Sequence, residues 1–199
     1  YAGIFQRVDG DTLLDIKVAC VTDRDIMPDC APHICINDEY TLDPTSWPKK
    51  KYRNWRAEAD FTPEEAASHI KDIKQKADGQ QVLTFVADHW TLEYDLAFAG
   101  LQYTNMKGAL IKAIVKVSYV EKNWVDKIKS ITADIDKLPT LEEKSSYFYN
   151  FFAGKIASKA DFAQQFAFEL EETFTGKLEE LNEALPSYLV EAIKYVTEE

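Results

Sequence analysis

The stretch DIKVACVT at residues 15–22 runs directly into Asp23, Arg24 and Asp25, and this join of an apolar run to acidic residues decides the fold. Continuous apolar character over so short a run is typical of a strand buried on both faces, as in a parallel sheet. A second run of the same kind, QVLTFVA, occupies residues 81–87 after a segment with helical periodicity. Two such strands joined by a helical crossover form a βαβ unit, so we predict an α/β fold.

The segment between the two predicted strands has an irregular part and a helical part. Residues 28–63 carry five prolines and little periodicity, which predicts an irregular insertion. Thr62 as N-cap and Pro63 in the first turn predict a helix that ends near Gly79.

After the second strand the chain is almost wholly helical in pattern, because apolar residues recur three and four apart. The last segment, residues 177–199, is expected to be helical on either side of Pro186, with its acidic residues on a solvated face. We therefore divide the chain into an α/β core at about residues 1–100 and a helical region at 101–199 packed on that core.

The composition limits the functional classes. A net charge of -11 argues against a protein that holds nucleic acid by bulk positive potential, so nucleic acid would need a local basic patch or bridging metal ions. No apolar run approaches the roughly 18 residues that cross a bilayer. We expect a cytoplasmic protein with no membrane partner.

The three cysteines, an odd number without the spacing of a disulfide framework, suit a reducing compartment. Cys30, His33 and Cys35 could be half of a zinc site. Because no second Cys or His cluster follows downstream, we favour ordinary loop residues over a structural zinc ion.

Two acidic clusters follow the two predicted strands. Asp23 and Asp25 come after the first strand, and the segment ADHWTLEYDLA at residues 87–97 comes after the second. The carboxyl ends of parallel strands meet at one edge of a sheet, so we expect the two aspartates to lie near Glu93, with Asp88 and Asp95 as further candidates at that edge. Carboxylate oxygens suit Mg²⁺, and such a site could clamp a scissile phosphate.

Each acid also has a purely structural interpretation. Thr91 could cap a helix whose first turn contains Glu93 and Asp95, where carboxylates favour the positive end of the helix dipole. The two aspartates could form a turn and pair with Arg24 or Lys17. Two independent acidic clusters at two strand ends favour the functional interpretation.

Three motifs carry a resemblance to a known family. VTDRD at residues 21–25 resembles the Asp-x-Asp motif of the Toprim fold shared by topoisomerases, primases and related nucleases. With TLEYDLA at residues 91–97 it resembles the C-terminal nuclease domain of the OLD (overcoming lysogenization defect) family of ATP-dependent endonucleases. SKADFAQQFA at residues 158–167 resembles that family's Lys-x-x-Phe-Ala segment, and the likeness covers about residues 1–170.

The resemblance implies metal-dependent hydrolysis of DNA phosphodiesters with two Mg²⁺ or Mn²⁺ ions. Asp23, Asp25 and Glu93 would be the metal ligands. Lys159, or Lys155 in its place, would stabilise charge on the phosphate. These roles follow from the resemblance and are predictions for this chain.

The resemblance also implies parts that this sequence lacks. Toprim proteins have a glutamate motif after an earlier strand, and we expect that strand, with the ATP-binding domain, upstream of Tyr1 in a parent protein. The Toprim-like sheet would then be incomplete at its N-terminus, and this fragment would bind metal and act weakly by itself. Related proteins work as dimers, which suggests a homodimer.

Lys159 can also be read as an ordinary exposed helix lysine. The spacing in KADFA places Phe162 and Phe166 on one helix face, and Lys159 three residues before Phe162 would lie near that buried face. An ordinary exposed lysine need not lie there.

The segment KKKYRNWR at residues 49–56 concentrates positive charge in an otherwise acidic chain. Cations bind phosphates and aromatic rings can stack on bases, so we predict a DNA contact here, with a solvated loop as the alternative. The candidate DNA-binding residues are Lys49, Lys50, Lys51, Arg53 and Arg56.

Other classes could use clustered acids. A receiver-like signalling domain would hold Mg²⁺ so that one aspartate accepts a phosphoryl group, but the long insertion and the helical tail disfavour it. A phosphatase with an Asp-x-Asp pair usually has Thr or Val where this chain has Met27. An oligomerisation module with incidental acids is the structural alternative.

Overall fold

The computed structural model describes residues 5–6, 8–9, 12–13, 16–37 and 39–198. Short strands β1 (Val8–Asp9) and β2 (Thr12–Leu13) pair antiparallel with each other. Strands β3 (Val18–Thr22) and β4 (Val82–Val86) form a separate parallel pair. The chain is therefore a mixed α/β protein, as predicted.

The parallel pair is in register from Val18 opposite Val82 to Thr22 opposite Val86. Both strands therefore end side by side, and the residues that follow them leave the sheet at the same edge. The first predicted strand began at Asp15, which lies outside the described residues.

Helix α1 (Pro63–Gln75) lies in the crossover and begins where its sequence predicted. The Thr62 hydroxyl accepts the N–H of Glu65, and the Glu65 carboxylate accepts the N–H of Thr62. This capping box satisfies backbone groups at the first turn. The helix ends before the predicted Gly79, because residues 76–79 turn into β4.

The described residues of the insertion before α1 form short helical turns and one isolated bridge between Ala57 and Met27, in agreement with its irregular sequence. They are a π-helical turn at Pro32–Ile36 and 3₁₀ turns at Pro44–Ser46, Lys50–Tyr52 and Glu58–Asp60. A compact apolar cluster supports them. Its buried members are Met27, Ala31, Trp47, Trp55, Ala57, Trp90 and Tyr94.

The rest of the chain is helical. The helices are α2 (Leu92–Gly100), α3 (Thr104–Ser118), α4 (Trp124–Lys137), α5 (Leu141–Ala153), α6 (Lys159–Phe174), α7 (Leu178–Ala184) and α8 (Ser187–Thr197). Residues 108–131 form one continuous helical pattern in the sequence. The structure divides this segment into α3 and α4, because Tyr119 and Val120 are extended.

The helical core joins α3 to α6 and α5 to α2. Phe148 and Phe162 are fully buried in it, with ring centroids 5.8 Å apart. Burying an aromatic side chain of this size stabilises a fold by about 1.5–3 kcal/mol. The core therefore fixes α2, α5 and α6 relative to one another.

Helix α8 packs on β3 and β4. The Tyr195 hydroxyl donates to the carbonyl of Gln81 at 2.8 Å, and its ring lies 5.9 Å from that of Phe85. Glu191 is exposed, as the prediction of a solvated acidic face requires. Among the described residues no helix combines the length and apolar character of a membrane span.

Candidate active site at the carboxyl ends of the parallel strands

Asp23 is the first residue after β3, and its carboxylate lies at the start of α2. Its Oδ1 accepts the N–H of Leu92 at 3.0 Å. The first N–H groups of a helix have no partner inside the helix, and the positive end of the helix dipole favours an anion there. The sheet register and the α2 N-terminus together hold Asp23 beside the second acidic cluster.

Arg24 ties the acidic loop to the loop after β4. Its backbone N–H donates to the carbonyl of Trp90 at 2.8 Å, and its Nη1 donates to the carbonyl of Asp88 at 2.8 Å. The His69 ring nitrogen lies 2.9 Å from the Arg24 carbonyl. These contacts, rather than a pairing of Arg24 with the aspartates, fix the loop.

Asp25 does not continue the alternation of a strand. The strand ends at Thr22, and Asp25 has φ of 61°, in the left-handed region where aspartate is tolerated better than most residues. The Asp25 side chain is exposed, although its charge still acts on Asp23. Residues two apart in a strand point to the same face, but this rule does not extend to Asp23 and Asp25, because both lie beyond the end of the strand.

Glu93 forms an ion pair with Lys159. The Lys159 Nζ donates to Glu93 Oε2 at 2.7 Å, and the side chains are 49% and 12% exposed respectively. Thr91 caps α2 by accepting the N–H of Tyr94, so Glu93 lies in the first turn as the structural interpretation also predicted. Both interpretations of Glu93 are compatible with this geometry.

The position of Lys159 is unfavourable for the stability of its own helix. It is the first residue of α6, after the N-cap Ser158, where the positive end of the dipole disfavours a cation. Glu93 offsets that effect. The ammonium group is thus held at the acidic edge by a tertiary contact rather than by helix stability.

The charges of the site shift the pKa values of its members. Burial raises the pKa of Asp23, and the charges of Glu93 and Asp25 add to this, while the hydrogen bond from Leu92 and the Lys159 charge oppose it. For Lys159, partial burial opposes the charged form, but the hydrogen bond and charge of Glu93 outweigh it and raise the pKa. Lys159 is therefore a cation at neutral pH.

The other acids after β4 stabilise the loop. The buried Asp95 accepts the N–H groups of His89 and Trp90 at 3.2 and 3.3 Å. Asp88 accepts the hydroxyl of Ser187 in α8 at 3.1 Å. Of this cluster, only Glu93 forms the ion pair with Lys159.

The donor chemistry of the site fits one hydrated Mg²⁺ or Mn²⁺ ion. Asp23 Oδ2 and Glu93 Oε1 accept no hydrogen bond from the described residues. Mg²⁺ is commonly held by one or two carboxylates, with water and substrate phosphate as the remaining ligands. Within the described part of the chain, no three Asp, Glu, His or Cys side chains form a metal-holding group. A second ion would need ligands from outside these residues.

Lys155 contrasts with Lys159. It lies after α5 in a left-handed conformation with φ of 56°, and its exposed side chain pairs with no acid that the structure describes. The ion pair with Glu93 therefore distinguishes Lys159 as the lysine of the site.

The Cys30, His33 and Cys35 pattern packs against α5. Cys30 Sγ lies 3.3 Å from the Ser146 hydroxyl, and Cys35 donates to the Ser146 carbonyl at 3.2 Å. Burial raises the pKa of the Cys30 thiol to about 11 and that of Cys35 to about 12. The third member, His33, has its Nδ1 2.6 Å from the Tyr40 carbonyl, so all three side chains already contact other protein groups. This geometry favours the loop interpretation.

The basic segment at residues 49–56 divides into structural and exposed cations. Arg53 donates to both carboxylate oxygens of Asp60, at 3.0 and 2.6 Å, and lies against Trp47 and Trp55. The guanidinium of Arg56 donates only to backbone carbonyls. Lys50 donates to the Asp60 carbonyl.

The predicted DNA contact therefore rests mainly on Lys49 and Lys51. Both are exposed, and so is Tyr52, which has 73% of its surface accessible. Trp55 is buried and cannot stack on a base in this conformation.

Two tyrosines near the acids were not predicted as site residues from the sequence. The Tyr149 ring in α5 lies 5.7 Å from the Lys159 ammonium. Tyr188 in α8 is buried, and its hydroxyl has no hydrogen-bond partner among the described residues. Aromatic residues in amphipathic helices indicate a core, so the sequence carried no signal for either position.

Comparison with protein-family models, with curated proteins and with solved structures finds no match for this chain.

Proposed function

We propose that this chain is a metal-dependent DNA nuclease domain of the OLD type, which hydrolyses phosphodiester bonds at the edge formed by Asp23, Glu93 and Lys159. One observation carries the proposal: residues from three distant parts of the chain, each singled out by a motif, come together at this edge. The ATP-binding domain and a homodimer belong to the same proposal.

The chemistry of hydrolysis suits these residues. A divalent ion bound by carboxylates supplies Lewis acidity and lowers the pKa of water. Asp23 and Glu93 would hold that ion through their free oxygens. The positive charge of Lys159 would offset the negative charge that develops on the phosphate. Lys159 would then share its ammonium between Glu93 and the substrate.

The exposed cations give a second, weaker support. The exposed Lys49 and Lys51 would bind the phosphates of DNA in a chain with a net charge of -11, and the Lys51 ammonium lies 4.7 Å from the centre of the Tyr52 ring. With so few phosphate contacts, we expect modest affinity and a small dependence on salt.

The experiment is nicking of supercoiled plasmid with Mg²⁺ or Mn²⁺, by this chain and by the longest natural polypeptide that contains it. We expect metal-dependent nicking that Asp23→Ala and Glu93→Gln each abolish. Asp134→Ala is the matched control, because Asp134 is an acid paired with Lys137 on the exposed side of α4. Nicking that survives both site variants, or no nicking by either polypeptide, would contradict the proposal.

The same proteins distinguish the receiver-like alternative. Incubation with acetyl phosphate should leave every aspartate unmodified, as mass spectrometry can show. Stable labelling of Asp23 or Asp25 would favour a phosphoryl-accepting domain instead.

A further inference from the structure

Tyr149 lies directly beside the proposed site. Its ring centroid is 5.7 Å from the Lys159 ammonium and 4.4 Å from the Trp90 ring. The side chain is half-buried at the junction of the two apolar clusters, and its hydroxyl makes no hydrogen bond to a described residue. The phenol is therefore held in place by its ring while its polar end has no partner.

A phosphate at this edge needs more than one hydrogen-bond donor. The carboxylates of Asp23 and Glu93 repel it, and the Lys159 ammonium is already shared with Glu93 at 2.7 Å. A neutral phenol supplies another donor without altering the charge balance between the lysine and the acids.

Tyr149 is protonated when the site would work. Burial raises its pKa, and the charges of Glu93 and Asp23 act in the same direction, while the Lys159 charge opposes them. A raised pKa favours the neutral phenol, so at neutral pH the hydroxyl is a donor.

We propose that Tyr149 contacts the substrate, donating its hydroxyl hydrogen to a non-bridging oxygen of the scissile phosphate. This inference rests on the proposed function. In the hydrolysis a water oxygen bonds to phosphorus, the bond from phosphorus to one ester oxygen breaks, and the proton lost by water ends on that leaving oxygen. Tyr149 keeps its own proton and stabilises the charge on the non-bridging oxygen.

The first test compares single-turnover nicking by Tyr149→Phe with that of the unaltered chain, in the polypeptide that shows the activity. Phenylalanine keeps the ring contacts with Lys159 and Trp90 and removes only the donor. Loss of a hydrogen bond to a charged group predicts a rate lower by about tenfold or more. Tyr147→Phe, half-buried on the same helix with its ring against Phe151, is the matched control and should nick normally.

The second test replaces one non-bridging oxygen of the scissile phosphate by sulfur, a poorer hydrogen-bond acceptor. If Tyr149 contacts that oxygen, the Tyr149→Phe substitution should lower the rate less on one phosphorothioate diastereomer than on the normal phosphate. The effects of the substitution and of the sulfur on the rate would then not be additive. An unchanged rate for Tyr149→Phe, or an equal loss on the phosphate and both diastereomers, would overturn the assignment. A merely structural role for the ring would lower the rate equally on the phosphate and on both diastereomers.

The outcomes separate the two proposals. If no polypeptide nicks, or if Asp23→Ala nicks normally, the nuclease assignment fails and the role of Tyr149 falls with it. If Asp23→Ala is inactive while Tyr149→Phe is as active as the unaltered chain, only the Tyr149 assignment fails.

Discussion

The Lys159 ammonium lies 2.7 Å from the Glu93 carboxylate, although 66 residues separate the two positions in the chain. The α3 and α6 helices pack together, and α5 packs on α2, so the same core that stabilises the fold also places this pair. Lys159 is half-exposed but the Glu93 side chain is only 12% exposed, so loss of the lysine would leave a nearly buried carboxylate without its cation.

Substitution of Lys159 by Met should reduce nicking strongly while the protein stays folded. We expect a rate lower by about 100-fold, the size of effect seen when one charge-stabilising group is removed from a transition state. The free energy of unfolding in urea should fall by about 1–3 kcal/mol, because the nearly buried Glu93 carboxylate loses its cation.

Lys107→Met is the control for this substitution, because Lys107, with 20% of its side chain exposed, pairs with Asp136 in α4, an acid outside the proposed site. It should nick at the normal rate. Equal loss of activity in the two variants, or unfolding of the Lys159 variant alone, would count against a role in catalysis.

Arg53→Met should destabilise the protein. Arg53 and Asp60 are buried, with side chains 6% and 9% exposed, and removing one member leaves the other charge unpaired. Breaking a buried pair costs about 3–5 kcal/mol, which urea unfolding can measure.

Lys51→Met is the comparison for Arg53, since Lys51 is exposed in the same segment. Its stability should stay within about 0.5 kcal/mol of the unaltered chain, and its affinity for DNA should fall. Unchanged stability in the Arg53 variant would contradict its structural role.

Tyr188→Phe should stabilise the protein. The Tyr188 hydroxyl is buried without a described partner, and burial, together with the charges of Asp95 and Asp23, raises its pKa. Removing a buried unpaired hydroxyl should add about 1 kcal/mol to the free energy of unfolding. Tyr195→Phe on the same helix loses a 2.8 Å hydrogen bond and should be destabilising. Similar losses in both variants would show that the Tyr188 hydroxyl has a partner in solution.

His89 should make stability depend on pH. Its contact with Asp95 raises the pKa above the ordinary value of 6.5 against the opposing effect of burial. A raised folded-state pKa means that the protonated form stabilises the fold fully below the unfolded pKa, and that this stabilisation is lost as pH rises through the folded pKa. His89→Gln should thus cost more stability at about pH 5.5 than at about pH 8. An equal cost at both values, or an NMR pKa below that of free histidine, would contradict this.

Local signals in the sequence predicted a large part of the fold. The apolar runs predicted β3 and β4, Thr62 and Pro63 predicted the start of α1, and the KADFA segment lies at the start of α6. Each of these features depends on neighbours in the chain. Sequence motifs led to the prediction of three site residues, Asp23, Glu93 and Lys159.

The features that sequence analysis missed depend on tertiary contacts. The left-handed turn at Asp25 excludes the shared orientation that a continued strand would give Asp23 and Asp25. The enclosure of Arg53 by Asp60 and two tryptophans turns a predicted DNA-binding cation into a structural one. In the sequence, Tyr149 has the pattern of an ordinary core aromatic residue. Only the packing of α5 places its ring beside Lys159.

The most direct measurement is the position of Mn²⁺ in crystals grown with a short DNA duplex, read from anomalous scattering. We predict an ion bonded to Asp23 and Glu93, with the Lys159 ammonium shifted towards a phosphate. Manganese found only elsewhere, for example in the acidic cleft lined by Asp29, Glu58 and Glu142, with the ion pair between Lys159 and Glu93 intact, would contradict the proposed site.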